Sequence, residues 1–133
     1  MILGIGTDMV SIPRIEDTLR QHGDRFTARC FAAEEIERIE KGLPDRRAAG
    51  YAKRWAAKEA CAKALGLGIR DDIFLKDIVV INDTAGKPGL ELRGGAKKRL
   101  EELTPAGRTS RIDISLSDEQ LMALAFVVIS AEA

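Results

Sequence analysis

The stretch RWAAKEACAKALG, residues 54–66, decides how this chain of 133 residues is read. Alanine loses no side-chain entropy in a helix and adds little bulk, so the run predicts a straight, closely packed rod from which Trp55, Lys58, Glu59 and Lys63 project. The helical pattern begins near Asp45 and ends at Leu65, with Gly66 in the capping position. Trp55, Glu59 and Lys63 step by i, i+4 and i+8, which places an aromatic ring, an acid and a cation on one stripe.

Outward from this rod, residues 2–8, ILGIGTD, read as a short buried strand ending on Asp8. Ser11 or Ile12 before Pro13, then Ile15 and Leu19, then Gly23, give a start signal, an apolar face and a stop for a first helix. FAAEEIERIEKG predicts a second helix with Ile36 and Ile39 inward, and LGLGIRDDIF reads as loop. LKDIVVIND and GLELRG flank the turn-rich TAGKP and predict a hairpin. GGAKKRLEELTPAG reads as a short amphipathic helix, and SRIDISLS and LMALAFVVIS as paired strands around DEQ. Helices lead and antiparallel pairs follow, so the expected fold is α+β, one domain over residues 1–133 with helices packed on a small antiparallel sheet.

With 45% apolar and 32% charged residues the composition is that of an ordinary globular protein. No apolar run approaches the ~18 residues of a membrane span, so no membrane partner is expected. MILGIGTD has neither a basic n-region nor a cleavage site, and Cys30 and Cys61 make no disulfide framework or zinc spacing with the single histidine, His22. The expectation is a cytoplasmic protein with reduced thiols. Net charge is zero, but Lys and Arg exceed Asp and Glu by 13 to 10 over residues 1–70. Seven of those cations are arginines within the first 47 residues, which could form a patch for an acidic partner but on charge alone are read more simply as solvated helix faces. With no basic run and six aromatics, nucleic acid is not an expected partner.

Two acids draw the eye. Asp8, fixed by strand backbone, and Glu59, on the rod, are two carboxylates of the kind that suits Mg²⁺ with open positions for water and phosphate. The bland alternatives are a helix cap for Asp8 and a surface Glu59–Lys63 pair. GIGTD lacks the third glycine of a dinucleotide fingerprint, and GLGIR lacks the Gly-Lys-Ser/Thr of a P-loop.

GIGTDMVSIPRI (residues 4–15), RWAAKEACAKALG (54–66) and ISLSDEQLMALAFVVIS (114–130), in this order, resemble the holo-[acyl-carrier-protein] synthase family of 4′-phosphopantetheinyl transferases over essentially the whole chain. The resemblance implies transfer of the phosphopantetheine arm of coenzyme A to a serine of apo-acyl carrier protein, releasing adenosine 3′,5′-bisphosphate in support of fatty acid biosynthesis. It implies Mg²⁺ held by Asp8 and Glu59, with Lys63 beside the transferred phosphate and Arg54, Lys63 and Gly66 serving coenzyme A. It further implies homotrimers with sites between subunits, and Arg14, Arg20 and Arg25 receiving the carrier protein. Such chemistry needs positioning and charge stabilisation together with a base for the serine proton. Glu59 or a metal-bound water fits that role, and we take the base to act through water.

Many members of that family carry histidine where this chain has Asp118, which would bring repulsion to bound coenzyme A unless turned away or bridged by a cation. An intrahelical partner is an equal reading for Arg54, whereas Cys61 reads as core packing and His22 as a helix C-terminal residue favourably placed on the dipole. A non-catalytic carrier-protein binder that keeps the fold is the alternative in another class, with a hydrolase of small diphosphates as a third.

Overall fold

The structure, a computed structural model, describes residues 1–66 and 73–133. Most of the expected loop LGLGIRDDIF lies outside the described residues. The chain runs β1 (Ile2–Ser11), α1 (Ile12–His22), α2 (Asp24–Cys30), α3 (Ala33–Glu40), α4 (Arg47–Ala64), β2 (Ile78–Asn82), β3 (Pro88–Leu92), α5 (Gly94–Leu103), β4 (Thr109–Asp118) and β5 (Met122–Glu132). One antiparallel sheet has the order β1-β5-β4, and β2 with β3 forms a separate hairpin. This is the α+β architecture the sequence predicts. None of the described helices is long and apolar enough to cross a membrane.

Helix α4 is the axle. Seven of its alanines are buried together with Tyr51, Lys58 and Cys61, and it packs on β1 and β5 along one side and on α1, α3 and β2 along others. Such encirclement explains why its apolar pattern is nearly continuous rather than one-sided. On β5 the inward positions Ala123, Ala125, Val127, Ile129 and Ala131 alternate with outward ones, as a sheet covered on one face requires. Small residues at 123 and 125 make room for the rod.

Strand β1 comes closer to α4 than any side chain permits. A Cβ built on Gly4 falls 2.0 Å from the Ala64 carbonyl oxygen, and one on Gly6 falls 1.9 Å from that of Ala60. Period-two spacing on the strand thus meets i, i+4 spacing on the helix, and the glycines of GIGTD serve backbone contact. Asp8 is next along the same face, since Gly4, Gly6 and Asp8 lie opposite the inward Ile129, Val127 and Ala125 of β5.

Three expectations are corrected. β1 runs to Ser11 and most of its residues are not buried, so Asp8 stands within the strand and not at its end. Pairing with β5 all along its length carries the strand past the acid. Ser11 caps α1 by accepting from the Arg14 amide (3.3 Å), which removes the cap reading of Asp8. Lys58, expected to project, has no exposed surface. Its ammonium donates to Glu35 Oε1 (2.7 Å), to the Leu75 carbonyl (3.0 Å) and to the Ile78 carbonyl, and it sits 5.2 Å from the Phe31 ring centre. Glu35, also buried, accepts from the Ala32 and Val80 amides as well. Burial pushes the Lys58 ammonium below the ordinary lysine range and Glu35 opposes that push. The sequence pattern predicts no helix at Asp24–Cys30, because its seven residues carry no repeated apolar stripe.

Replacing Gly6 by alanine should cost about 3 kcal/mol, because backbone rather than a movable side chain occupies the space. Gly89→Ala, where the new Cβ meets only Ile81 at 3.7 Å, should stay within about 0.5 kcal/mol of the parent. Urea unfolding of the two variants measures the difference.

Candidate active site

A cleft of about 820 Å³ opens between β1, α1, α2 and α4. Asp8 from the strand and Glu59 from the rod both line it. Lys63, one turn beyond Glu59, spans to β1 and donates to the Thr7 carbonyl (2.9 Å) and to Asp8 Oδ1 (3.3 Å). The ammonium thus serves the strand acid, in place of the Glu59–Lys63 surface pair that helical spacing allows.

The carboxylates feel each other. Burial raises the Glu59 carboxyl above the ordinary glutamate range, and the Asp8 charge adds to the rise while Lys63 offsets part of it. Two acids forced close in a half-buried place, with one lysine attached, are poised to take up positive charge.

Beyond the acids the cleft has an apolar wall of Ile15, Phe26, Cys30, Trp55, Phe74 and Leu75. Phe26 lies 5.8 Å from the Trp55 ring and 5.7 Å, edge to face, from Phe31 behind it. Arg14, Arg25 and Arg29 add cations to the lining. On α1, burial of Ile12, Ile15 and Leu19 against the core leaves Arg14, Thr18 and His22 as the i, i+4, i+8 stripe along the cleft.

Of the residues named from sequence, Asp8, Glu59, Arg14 and Arg25 meet at this cleft and Lys63 reaches its acid end. Arg25 stands on α2. Arg20 does not line the cleft and pairs with Asp17 on its own helix. Arg54 also lies off it: its Nη1 donates to the Gly50 carbonyl (3.2 Å), the intrahelical bond, while Nε is buried with no partner among the described residues. Burial lowers the Arg54 pKa, with Glu35 and Arg38 pulling in opposite directions. Gly66 follows α4 with φ of +84°, a conformation that favours glycine, and is a helix end rather than a cleft residue.

Asp118 is bridged by cations. It accepts from Arg46 Nη2 (3.0 Å) and lies 3.3 Å from the Lys53 ammonium, with 15% of its side chain exposed. Desolvation alone would raise its pKa, but these two partners bring it below the usual aspartate value. Phe26 and Arg29, cleft residues on α2, do not emerge from the sequence pattern because α2 itself does not. Asp24 directly after Gly23, followed by Phe26 and Cys30 four apart, was the available signal.

A strand acid held by one lysine and a helix acid beside it, on an α+β frame, make a site whose residue types can receive a phosphorylated ligand, with open positions for a cation between the carboxylates. Comparison with known proteins gives the class: the family model described as the 4′-phosphopantetheinyl transferase superfamily matches residues 4–124. The chain belongs to this superfamily of transferases. Holo-[acyl-carrier-protein] synthase of Rhodopseudomonas palustris is 51% identical over 135 residues, covering 98% of this chain and 96% of the relative. Among solved structures, that of the Neisseria meningitidis synthase is similar with a TM-score of 0.83 at 40% identity, over 98% of this chain and 99% of the other. The Helicobacter pylori synthase in complex with coenzyme A has a TM-score of 0.79 at 28% identity, over 95% of this chain and 99% of the other.

Because the Asp8 charge adds to the rise that burial causes, Asp8→Asn should move the Glu59 carboxyl titration partway down toward the ordinary range in metal-free protein. Carbon-detected NMR of the side-chain carboxyls reads the shift directly, and an unmoved midpoint would mean that the two acids do not meet.

Proposed function

We propose that this chain transfers the 4′-phosphopantetheine arm of coenzyme A to a serine of apo-acyl carrier protein, releasing adenosine 3′,5′-bisphosphate and so equipping the carrier for fatty acid biosynthesis. One observation carries the reading: carboxylates from the two segments that resemble the family most, GIGTD and WAAKEACAKALG, meet beside Lys63 at a cleft lined by arginines. The relatives named above supply the reaction. Residues 1–133 act as one transferase domain, placed in the cytoplasm in keeping with two buried, unbridged cysteines.

Asp8 and Glu59 fit Mg²⁺. Among the described residues they have no third His, Cys, Asp or Glu to complete a protein cage, and this ion keeps several positions for water and phosphate oxygen. When bound, it would supply neutralising charge to the diphosphate. The protein's own part is to orient and to move a proton. The bond from serine Oγ to phosphorus forms as the bond from phosphorus to the oxygen of the departing nucleotide phosphate breaks. Lys63 offers its ammonium to the charge that gathers on the phosphoryl oxygens. Glu59, raised by burial and by Asp8, accepts the serine proton through one water.

Arg14 and Arg25 belong in this reading to the carrier-protein approach, where acidic side chains meet the α1 and α2 faces; Arg20, tied to Asp17, contributes less. Three copies assemble through the outer face of the β1-β5-β4 sheet. Ile5, Met9, Leu124 and Phe126 stand 60%, 65%, 40% and 45% exposed there, and adjacent strands gather them into an apolar patch that water disfavours. Arg54 and the Arg46–Lys53 pair, which lie off their own chain's cleft, are then available to coenzyme A held by a neighbouring subunit.

Mass spectrometry of apo-acyl carrier protein incubated with this protein, coenzyme A and Mg²⁺ should show covalent addition of the arm. A chelator should abolish it, and Glu59→Gln should reduce it by at least about 10³-fold without loss of fold. No addition under any divalent ion refutes the transferase. Arg14→Glu should raise the KM for carrier protein by about tenfold and leave that for coenzyme A nearly unchanged, and steady-state kinetics with each substrate varied in turn distinguishes the two.

A further inference from the structure

Lys58 sits beside Glu59 in sequence but points into the core, where its contacts with the Leu75 carbonyl and the Phe31 ring lead to the cleft's apolar wall. Its ammonium donates to the Leu75 carbonyl (3.0 Å), and Leu75 and its neighbour Phe74 line the cleft. It donates again to the Ile78 carbonyl, where β2 begins, so the turn Leu75–Asp77 is held at both ends. On another side it lies over the Phe31 ring, which stands edge to face against Phe26 of the wall. Phe26 in turn packs against Trp55, one turn before Lys58 on α4. The remaining partner, Glu35, fixes the ammonium from α3.

Burying a lysine completely is expensive, and an apolar side chain of similar volume would commonly serve stability as well or better. What a methionine or leucine lacks is the donor hydrogens that hold two carbonyls of an otherwise irregular segment. That segment supplies Phe74 and Leu75 through backbone alone, with no long helix or strand under them.

We infer that Lys58 is a positioning residue for the cleft: its buried ammonium sets the place of the Phe74–Leu75 wall relative to Trp55 and Phe26, and thereby the fit of the coenzyme A arm. The inference rests on the transferase reading for the identity of the occupant. Its mark is selective: coenzyme A binding weakens, whereas carrier-protein binding at the arginine side and the Asp8–Glu59 acid pair remain.

The double variant Lys58→Met/Glu35→Gln removes both buried charges and keeps an acceptor for one of the two amides, Ala32 or Val80, that Glu35 serves. Its KM for coenzyme A should rise about tenfold with kcat changed no more than about threefold and the carrier-protein KM unmoved. Trp55 is the sole tryptophan, so its emission, read without turnover, should shift in the same variant and should need correspondingly more coenzyme A to saturate. Glu35→Gln alone keeps the ammonium on both carbonyls and should stay within about twofold of the parent KM even where stability falls.

A coenzyme A KM and Trp55 emission unchanged in the double variant overturn the proposal and leave Lys58 a core residue only. Equal weakening in Glu35→Gln also overturns it, and this result is readable even if the double variant does not fold. Loss of the transferase reading itself shows differently, as absence of arm transfer by the parent protein.

Discussion

Everything at the cleft depends on how near β1 lies to α4. Bare backbone at Gly4 and Gly6 lets the strand settle against the carbonyl oxygens of Ala64 and Ala60, so the separation of the two elements is set by main-chain contact and has little freedom to drift. Asp8 is the next residue on that face, and Glu59 and Lys63 flank Ala60 on the rod. The acid pair therefore inherits its geometry from a contact in which no side chain takes part. A larger residue at position 4 or 6 would move an acid as well as loosen the core, and stability and chemistry cannot be tuned separately there.

The buried pair of Lys58 and Glu35 performs a second service. It ties α3, α4 and the start of β2 through hydrogen bonds that satisfy every donor of the ammonium and two backbone amides. Desolvation offsets most of the Coulomb attraction in such a pair, so its net gain is small, while loss of one partner leaves a buried charge at a cost of about 3–5 kcal/mol. The arrangement specifies one geometry more than it adds stability.

Much of this was legible in the sequence where periodicity is strong. The alanine-rich rod, the hairpin, the amphipathic helix at 94–103 and the terminal strand pair all follow from spacing and punctuation, and Asp8 and Glu59 stood out as acids on elements of fixed backbone. What escaped was set by three-dimensional surroundings. Strand β1 outlasts its glycine-punctuated opening because β5 offers a partner along its whole length, which no local signal in β1 reports. The seven residues of α2 are too few for an apolar repeat, and with them went Phe26 and Arg29. Lys58 looks like any surface lysine on a helix until the encirclement of α4 is seen. Among arginines, composition could count cations but not say that Arg20 is held by Asp17 whereas Arg14 faces the cleft.

The trio of Arg46, Lys53 and Asp118 has a consequence for the local field. One carboxylate between two cations relieves their mutual repulsion and leaves a single positive charge in surplus, felt over about 8 Å at physiological ionic strength. A histidine, common here in the family this chain resembles, would change charge near neutrality. Asp118, already held below the usual aspartate value, keeps its charge from mildly acidic to alkaline conditions, so this corner of the molecule presents one constant potential to any anion that meets it.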